Sequence, residues 1–203
     1  MEQATKQQDF AFEIVHQERY SRGELILRTF LGQLYMVIPH LFLLFFMMIA
    51  SAVLGFFAWW AVLFTGKYPR SFFDFQVKVL KWNMRLQARV LNLADGYPAF
   101  GMNAEDERII LHIAYPENLS RVLLLVRLMF QFIYVIIPHA FLLFFRFIGS
   151  AFVIFIAWWA VLITGEYPKG LHEFVVGTLR WSTRVNIYLS FLTDKYPPFS
   201  GRP

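Results

Sequence analysis

The sequence predicts a mostly α-helical, integral membrane protein made of two tandem repeats. Residues 29–66 contain no charged side chain, and residues 128–165 contain only Arg146. Uncharged apolar runs longer than about 18 residues are typical of membrane segments. The two runs align without a gap at an offset of 99 residues, so that Pro39-His40 matches Pro138-His139. This self-similarity indicates that one membrane unit is present twice.

The composition supports the membrane setting and excludes several other classes. Hydrophobic residues make up 58% of the chain and charged residues 16%, against roughly a quarter charged in soluble domains. The absence of cysteine excludes disulfides and thiolate metal sites. The net charge is +5, and basic residues flank the apolar runs, which favours anionic lipid over nucleic acid as a partner. The N-terminal residues are polar and lack the apolar core of a signal peptide.

Each repeat begins with a short strand, and clear signals mark the ends of the apolar run that follows. Residues 10–16 and 108–115 alternate in a way that is typical of strands. Ser120 is a suitable N-cap for the apolar helix after it. Gly66 and Gly165 suit the position just beyond a helix, and the nearby prolines prevent its continuation.

The apolar runs fit two arrangements. A helix of about 37 residues would extend roughly 55 Å, nearly twice the hydrocarbon thickness. We therefore expect transmembrane helical hairpins at residues 24–66 and 121–165, the first bent near residues 47–51. Basic residues on both sides of each run favour hairpins with both termini in the cytoplasm. The alternative is an interfacial helix up to Pro39, followed by one crossing over residues 41–65.

An amphipathic helix follows each run, at residues 71–93 and 170–193. Apolar side chains recur there at spacings of three and four, and basic side chains form a stripe beside them. The pattern predicts a helix in the membrane interface; the alternative is packing on a soluble core. The expected lipid-headgroup contacts are Lys78, Lys81, Arg85, Arg89, Arg180 and Arg184. Repeat one then covers residues 1–100, the linker 101–107, and repeat two 108–203.

Short motifs recur along both repeats. In the second they are Ser120-Arg121, Ile137-Pro138-His139, Trp-Ala-x-Leu-x-Thr-Gly-x-Tyr-Pro at 159–168, Arg180-Trp181, and Asp-x-Tyr-Pro-Pro-Phe at 194–199. Together they resemble a family of prokaryotic membrane proteins catalogued as domain of unknown function 4389. The first repeat departs in having Ala99 in the last motif and Lys81 in place of the arginine. The resemblance implies a bacterial-type integral membrane protein and, as the family's name states, it supplies no catalytic residues.

His40 and His139 are the candidate functional residues, because each lies in an apolar run near the middle of the bilayer. Two such histidines related by duplication would suit the axial ligation of a haem or a proton relay. The structural interpretation is that each imidazole satisfies a backbone carbonyl which Pro39 or Pro138 leaves without its usual partner. We favour the structural interpretation and expect no resident cofactor.

Other candidate residues have simpler interpretations. Arg146 is expected at the tip of the second hairpin, where it reaches the far interface or holds an anionic lipid headgroup. Asp95 and Asp194 precede Tyr-Pro sequences and are expected to be turn residues. An aromatic anchoring belt is expected near the helix ends, made of Trp59, Trp60, Trp158, Trp159, Tyr68 and Tyr167.

The functional expectation is a non-enzymatic membrane accessory or scaffold subunit that organises an assembly or shapes the bilayer. The sequence contains no phosphate-binding loop, dinucleotide fingerprint or nucleophile elbow. The expected partners are the bilayer, anionic lipids, and other membrane subunits or a second copy, without nucleic acid. The expected location is the cytoplasmic (inner) membrane. The alternative is a lipid carrier, or a haem-type carrier that uses His40 and His139.

Overall fold

The computed structural model describes residues 9–203, so part of the polar N-terminal segment lies outside it. The chain is mostly helical, as the sequence predicts. In order, the elements are β1 (Phe10–Ile14), α1 (Arg22–Gly32), α2 (Ile38–Thr65), α3 (Arg70–Val90), β2 (Ile109–Ile113), α4 (Arg121–Gln131), α5 (Ile137–Thr164) and α6 (Lys169–Leu189). The strands and the amphipathic helices α3 and α6 lie where the sequence places them.

The predicted hairpins are wrong, because each apolar run forms one continuous helix. α1 and α2 join through a single π-helical turn, Gln33–Val37, to give a helix of 44 residues. α4 and α5 join in the same way through Phe132–Ile136. Residues 47–51 and 146–150 are helical. A lone Gly in a helix costs only about 1 kcal/mol, whereas a turn in an apolar medium would leave several backbone groups unpaired at a greater cost.

The ends of the long helices follow local chemistry. The hydroxyls of Ser21 and Ser120 cap the two N-termini by accepting the N–H groups of Glu24 and Leu123. Gly66 and Gly165 close the C-termini with φ values of 73° and 78°, a left-handed conformation that costs other residues steric strain. Here the sequence-based expectations are confirmed.

A pseudo-two-fold axis relates the repeats. β1 and β2 pair antiparallel around the central pair Phe12 and Leu111, which are equivalent residues of the two copies. The hydrogen bond from Tyr20 N to Gly165 O, 2.8 Å, has its mate from Leu119 N to Gly66 O, also 2.8 Å. Reciprocal contacts of this kind define a two-fold arrangement. The start of each long helix therefore lies at the end of the other.

α3 and α6 form the middle of the molecule. They meet on the axis, where the Thr183 hydroxyl contacts the sulfur of Met84. The strand ribbon packs on one side of them, and each long helix packs against the amphipathic helix of its own repeat. Residues from all three layers share the main core, including Phe12, Leu111, Met84, Ala58 and Val161. The alternative of packing on a protein core thus describes α3 and α6 better than an interfacial position.

The long helices bury only one narrow face. Their most apolar 18-residue windows have mean hydropathies of 2.5 and 2.3 but are only 11% and 17% buried. Both helices are long and apolar enough to cross a membrane. Most of the aromatic and aliphatic side chains of the first are exposed. Its buried positions are Leu25, Arg28, Gly32, Met36, His40, Leu44, Ala58 and Val62.

Candidate functional site

The residues that recur in both repeats come together in one cluster per repeat. We call these clusters the hubs. Hub one consists of Ser21, Arg28, Tyr35, Pro39, His40, Trp82, Asp95, Tyr97 and Phe100, and hub two of Ser120, Arg127, Tyr134, Pro138, His139, Trp181, Asp194, Tyr196 and Phe199. Each hub fastens the loop after the amphipathic helix to the first half of the long helix of the same repeat.

The first part of the hub is an ion pair near the helix start, with a buried arginine in each repeat. In repeat one, Asp95 accepts the backbone N–H of Ser21 at 2.7 Å and pairs with Arg28 at 2.9 Å. In repeat two, Asp194 accepts the N–H of Ser120 at 2.6 Å and pairs with Arg127 at 2.5 Å. The aspartates are therefore more than turn residues, since they neutralise a buried guanidinium and satisfy a free helix N–H.

The second part of the hub satisfies the carbonyl that proline leaves free. Pro39 has no N–H to donate to the carbonyl of Tyr35, four residues earlier. The hydroxyl of Tyr97 donates to that carbonyl at 3.4 Å. In repeat two, the hydroxyl of Tyr196 donates to the carbonyl of Tyr134 at 2.9 Å. Tyr97 and Tyr196 thus fill the role expected of the histidines, and the π-helical turns lie at the same place along the long helices.

The third part of the hub is the histidine itself. The indole N–H of Trp82 donates to Nδ1 of His40 at 2.8 Å, and that of Trp181 donates to Nδ1 of His139 at 2.9 Å. Because indole only donates, each Nδ1 is an acceptor and the proton of the neutral ring is on Nε2. Both imidazoles are fully buried. Each Nε2 lies without a hydrogen-bond partner among aromatic rings, including Phe100 or Phe199.

The histidines do not form a shared site. They lie beside separate hydrophobic clusters, one around Trp82 and one around Trp181, and each keeps its Nδ1 occupied within its own repeat. The two histidines therefore do not have the facing arrangement that would let both ligate one haem. Within residues 9–203, no three His, Asp or Glu side chains form a group that could hold a metal ion.

Three of the predicted headgroup contacts are buried inside the protein, and this corrects the prediction for them. Arg85 donates to the carbonyls of Gly101 and Ala104 in the linker. Arg180 donates to Phe12 O at 2.9 Å and Gly201 O at 2.7 Å. A guanidinium carries five donors and suits several loop carbonyls at once, and burial lowers the pKa of Arg85. Arg89, the third, forms a buried ion pair of 2.6 Å with Asp106.

Of the other basic residues, some are exposed at the surface and some bond to groups inside the protein. Lys78 and Lys81 are exposed and remain available to headgroups. Arg184 is half-buried and donates to Arg202 O at 2.7 Å. Arg146 lies within helix α5, not at a hairpin tip, and its guanidinium donates to the hydroxyl of Thr178 at 3.0 Å. It therefore joins α5 to α6.

The aromatic belt is only partly present. Trp60 and Trp159 are exposed, and Trp59 and Trp158 are half-buried. Trp158 donates to the Thr29 hydroxyl of the other repeat at 2.9 Å. Tyr68 and Tyr167 are buried core residues, which corrects their assignment as interfacial anchors. Burial raises the pKa of Tyr68 to about 12.

Sequence reasoning missed one further pair of histidines, His16 and His172. Their rings meet edge to face at 5.0 Å, and Nε2 of His16 lies 2.6 Å from Tyr167 O. His172 is fully buried, and burial lowers its pKa to about 4. The repeat alignment carried a signal, because Phe73 and Tyr115 occupy the equivalent positions and form the same contact.

Two related clefts open beside the long helices. One, of about 620 Å³, lies between Gly55 and Trp59 on α2 and the last turn of α6. The other, of about 590 Å³, lies between Ala151 on α5 and the last turn of α3. Both are lined mainly by apolar side chains, with Asn83 in each.

The family is settled by a sequence comparison. Residues 27–101 and 124–201 each match the family model described as Domain of unknown function (DUF4389). The chain belongs to this family. It contains two tandem copies of the DUF4389 domain, and nearly all of both hubs falls within the matched segments. Comparisons with curated proteins and with solved structures give no significant match.

Proposed function

We propose that this tandem DUF4389 protein is a non-enzymatic membrane scaffold or accessory subunit, anchored through its two long helices. The observation that carries the proposal is the exposure of those helices. A helix of this apolarity in a soluble protein packs into the core, yet here the most apolar windows are 11% and 17% buried. Such a surface is stable in lipid and unstable in water.

The chemistry of the hubs supports a non-enzymatic role. In the hubs, the aspartates pair with the arginines, and each histidine accepts the indole N–H of a tryptophan. These contacts hold the long helix of each repeat to the loop after its amphipathic helix, so we assign these residues a structural role. The part of the molecule available to partners is therefore the polar side, which includes the strand ribbon and the exposed Lys78 and Lys81.

The location that fits is the cytoplasmic membrane, with the ribbon, the linker and both termini in the cytoplasm. Basic residues precede and follow both long helices, for example Arg19 and Lys67 around the first, and basic residues favour the cytoplasmic side. Lys78 and Lys81 suit contact with anionic headgroups, at about 1 kcal/mol each near the surface. Other membrane subunits or a second copy are the partners we expect.

Membrane extraction tests this proposal. We expect the full chain to stay in the membrane pellet in alkaline carbonate and to leave it only in detergent. Phe46→Glu places a charge on the exposed face of α2 and should shift part of the protein out of the pellet, since a charge in lipid costs about 3 kcal/mol. Ile110→Glu is the matched control, because Ile110 is equally exposed but lies on the ribbon. A wild-type protein that is soluble without detergent would refute the proposal.

A second candidate function is that of a lipid carrier, and the two clefts favour it. Each cleft joins the exposed apolar surface of a long helix and ends near an amide side chain. Mass spectrometry of the protein purified in mild detergent would distinguish the two functions. Stoichiometric lipid of one class supports the carrier, whereas co-purified protein subunits with unselected lipid support the scaffold.

A further inference from the structure

We infer that neither long helix crosses the bilayer, and that both enter and leave the hydrocarbon on the same side, so that the protein occupies one leaflet. The inference deepens the proposed function and rests on it, because it presumes that the long helices lie in lipid. It is carried by the pseudo-two-fold axis and by the contacts between helix ends.

The two ends of one long helix lie at the same height along the axis. Rotation about the axis carries Gly66 onto Gly165, so these two residues have equal heights. The 2.8 Å hydrogen bond from Tyr20 N to Gly165 O places the start of the first helix at that same height. The first helix therefore begins beside Tyr20 and ends at Gly66 without a net displacement along the axis. The second helix follows by symmetry, through Leu119 and Gly66.

The ribbon determines the direction of the axis relative to the membrane. The axis passes through the central strand pair, Phe12 and Leu111, and through the contact of Met84 with Thr183. If the axis lay in the membrane plane, the helices could cross, but the ribbon would then stand at the depth of the bilayer centre. Within residues 9–203 the ribbon has two strands, so most backbone groups on its outer edges lack a strand partner, apart from Phe12 O, which accepts from Arg180, and Glu13 and His112 on it are exposed. Open sheet edges and exposed charges are not tolerated at that depth.

The axis therefore runs along the membrane normal, with the ribbon in water. Helix ends at equal heights along the normal are ends at equal depth. Each long helix then lies along or bows into the near leaflet and does not reach the other side. The charges agree with this arrangement, because exposed ionisable residues, such as Glu18, Lys67, Glu117 and Glu166, stand beside all four helix ends.

The surface that results is a broad apolar underside made by both long helices. Its exposed members include Phe45, Phe46, Phe144 and Phe145, which occupy equivalent positions in the two repeats. Residues 29–66 contain no charged side chain, and Arg146, the one charge in residues 128–165, bonds to Thr178. This underside can therefore lie deeper among the acyl chains than a helix with a charged face could. The occupant of the underside is thus one lipid leaflet.

Double-cysteine labelling tests the inference, and the chain has no native cysteine to interfere. Glu18→Cys and Lys67→Cys in one molecule mark the two ends of the first helix, and Glu117→Cys and Glu166→Cys mark those of the second. All four positions are exposed. The full chain is reconstituted in vesicles, treated outside with a membrane-impermeant maleimide, and analysed by intact mass. We expect two labels or none on each molecule, whatever the mixture of orientations.

One label on each molecule would place the helix ends on opposite sides and overturn the inference. Met48→Cys and Phe147→Cys, equivalent exposed positions in the middle of the helices, should react only after the vesicles are dissolved in denaturant. Labelling of either from the side opposite the ends would also overturn it. A protein that fails to float with the vesicles refutes the proposed function itself, whereas single labelling of floated protein refutes only the one-leaflet arrangement.

Discussion

At one end of the strand ribbon, the ring of Phe73 meets Tyr115 edge to face at 5.2 Å. At the other end, the equivalent positions are His172 and His16, and their rings meet edge to face at 5.0 Å. Tyr115 and His16 each reach a backbone carbonyl, that of Tyr68 or of Tyr167. The two ends share a geometry but differ in chemistry, since only one can take up protons. The fold at these positions therefore depends on ring packing and on one polar contact to a carbonyl.

The polar bridges between the long and amphipathic helices also keep their place while the residues that form them change. In repeat one, the amide of Gln76 donates to Ser51 O at 2.7 Å. In repeat two, the position of Gln76 is occupied by Val175, and the bridge is made by Ser150 with Thr178, 2.9 Å apart. Arg146 adds a second bond to Thr178 there. Each repeat thus keeps a polar bridge at this level while the residues that form it change.

The largest effect is expected at the ion pairs of the two hubs, which share a buried arginine but differ in the exposure of the aspartate. Arg28→Met and Arg127→Met each remove a guanidinium and leave an aspartate without its partner, which costs about 3–5 kcal/mol. The loss should be larger for Arg28→Met, because the side chain of Asp95 is 10% exposed and that of Asp194 is 32% exposed. Thermal unfolding in detergent measures this difference.

The control for these variants is Arg70→Met. The Arg70–Asp74 pair is well exposed, and an exposed pair contributes at most about 1 kcal/mol. A melting temperature that falls as far for Arg70→Met as for Arg28→Met would show that the burial of the hub pairs is unimportant.

Lowering the pH should destabilise the protein through the histidine end of the ribbon and not through the Phe73–Tyr115 end. The pKa of His172 is lowered from 6.5 to about 4 by burial. Between these values the unfolded chain binds a proton that the folded chain does not, so stability is full above pH 6.5 and falls as the pH drops towards 4. The slope is about 1.4 kcal/mol per pH unit. His172→Phe, combined with His16→Tyr to reproduce the other end, should remove this contribution.

The reverse substitution sharpens the test. Phe73→His with Tyr115→His places the titratable pair at the other end and should steepen the acid destabilisation. Melting temperatures between pH 7 and pH 4, compared with those of the wild type, isolate each contribution because the remaining histidines are unchanged. Equal pH slopes in all three proteins would contradict the assignment to His172.

A smaller effect is expected from the indole–imidazole bonds. Trp82→Phe or Trp181→Phe leaves a buried imidazole nitrogen without its donor, at a cost of about 1–3 kcal/mol. Adding His40→Leu or His139→Leu to the matching variant removes the orphaned group, so each double variant should lose less than the sum of its singles. His139→Lys should be worse than His139→Leu, because it buries a charge. Additive losses in denaturant unfolding would contradict this pairing.

The smallest loss of stability is expected on removing the tyrosine hydroxyls that donate to the carbonyls left free by proline. The bond from Tyr196 to Tyr134 O is 2.9 Å long, and that from Tyr97 to Tyr35 O is 3.4 Å long. Tyr196→Phe should therefore cost about 1 kcal/mol and Tyr97→Phe less. Urea titrations of the two variants, side by side, would show the order. A larger loss for Tyr97→Phe would contradict the order of bond strength taken from the two distances.

The sequence predicts features that depend on neighbouring residues. Ser120, Gly66 and Gly165 mark helix ends because capping is local, and the 3.6-residue period gives the extent of α3 and α6. The burial of Arg85 was not predictable in this way, because its acceptors are carbonyls in the linker, 16 and 19 residues away. The hairpin expectation failed because it combined the helix length with the basic residues at both ends of each run, and it assumed that a long apolar run must turn to fit a bilayer.

The antiparallel pairing of helix ends has an electrostatic consequence. Each long helix carries a partial positive charge at its N-terminus and a partial negative charge at its C-terminus. Because Tyr20 lies against Gly165 and Leu119 against Gly66, opposite partial charges meet at both junctions. Arg22 adds a full positive charge there by donating to Ile163 O at 2.7 Å, in the last turn of α5. The two macrodipoles therefore point in opposite directions, and their electric fields largely cancel.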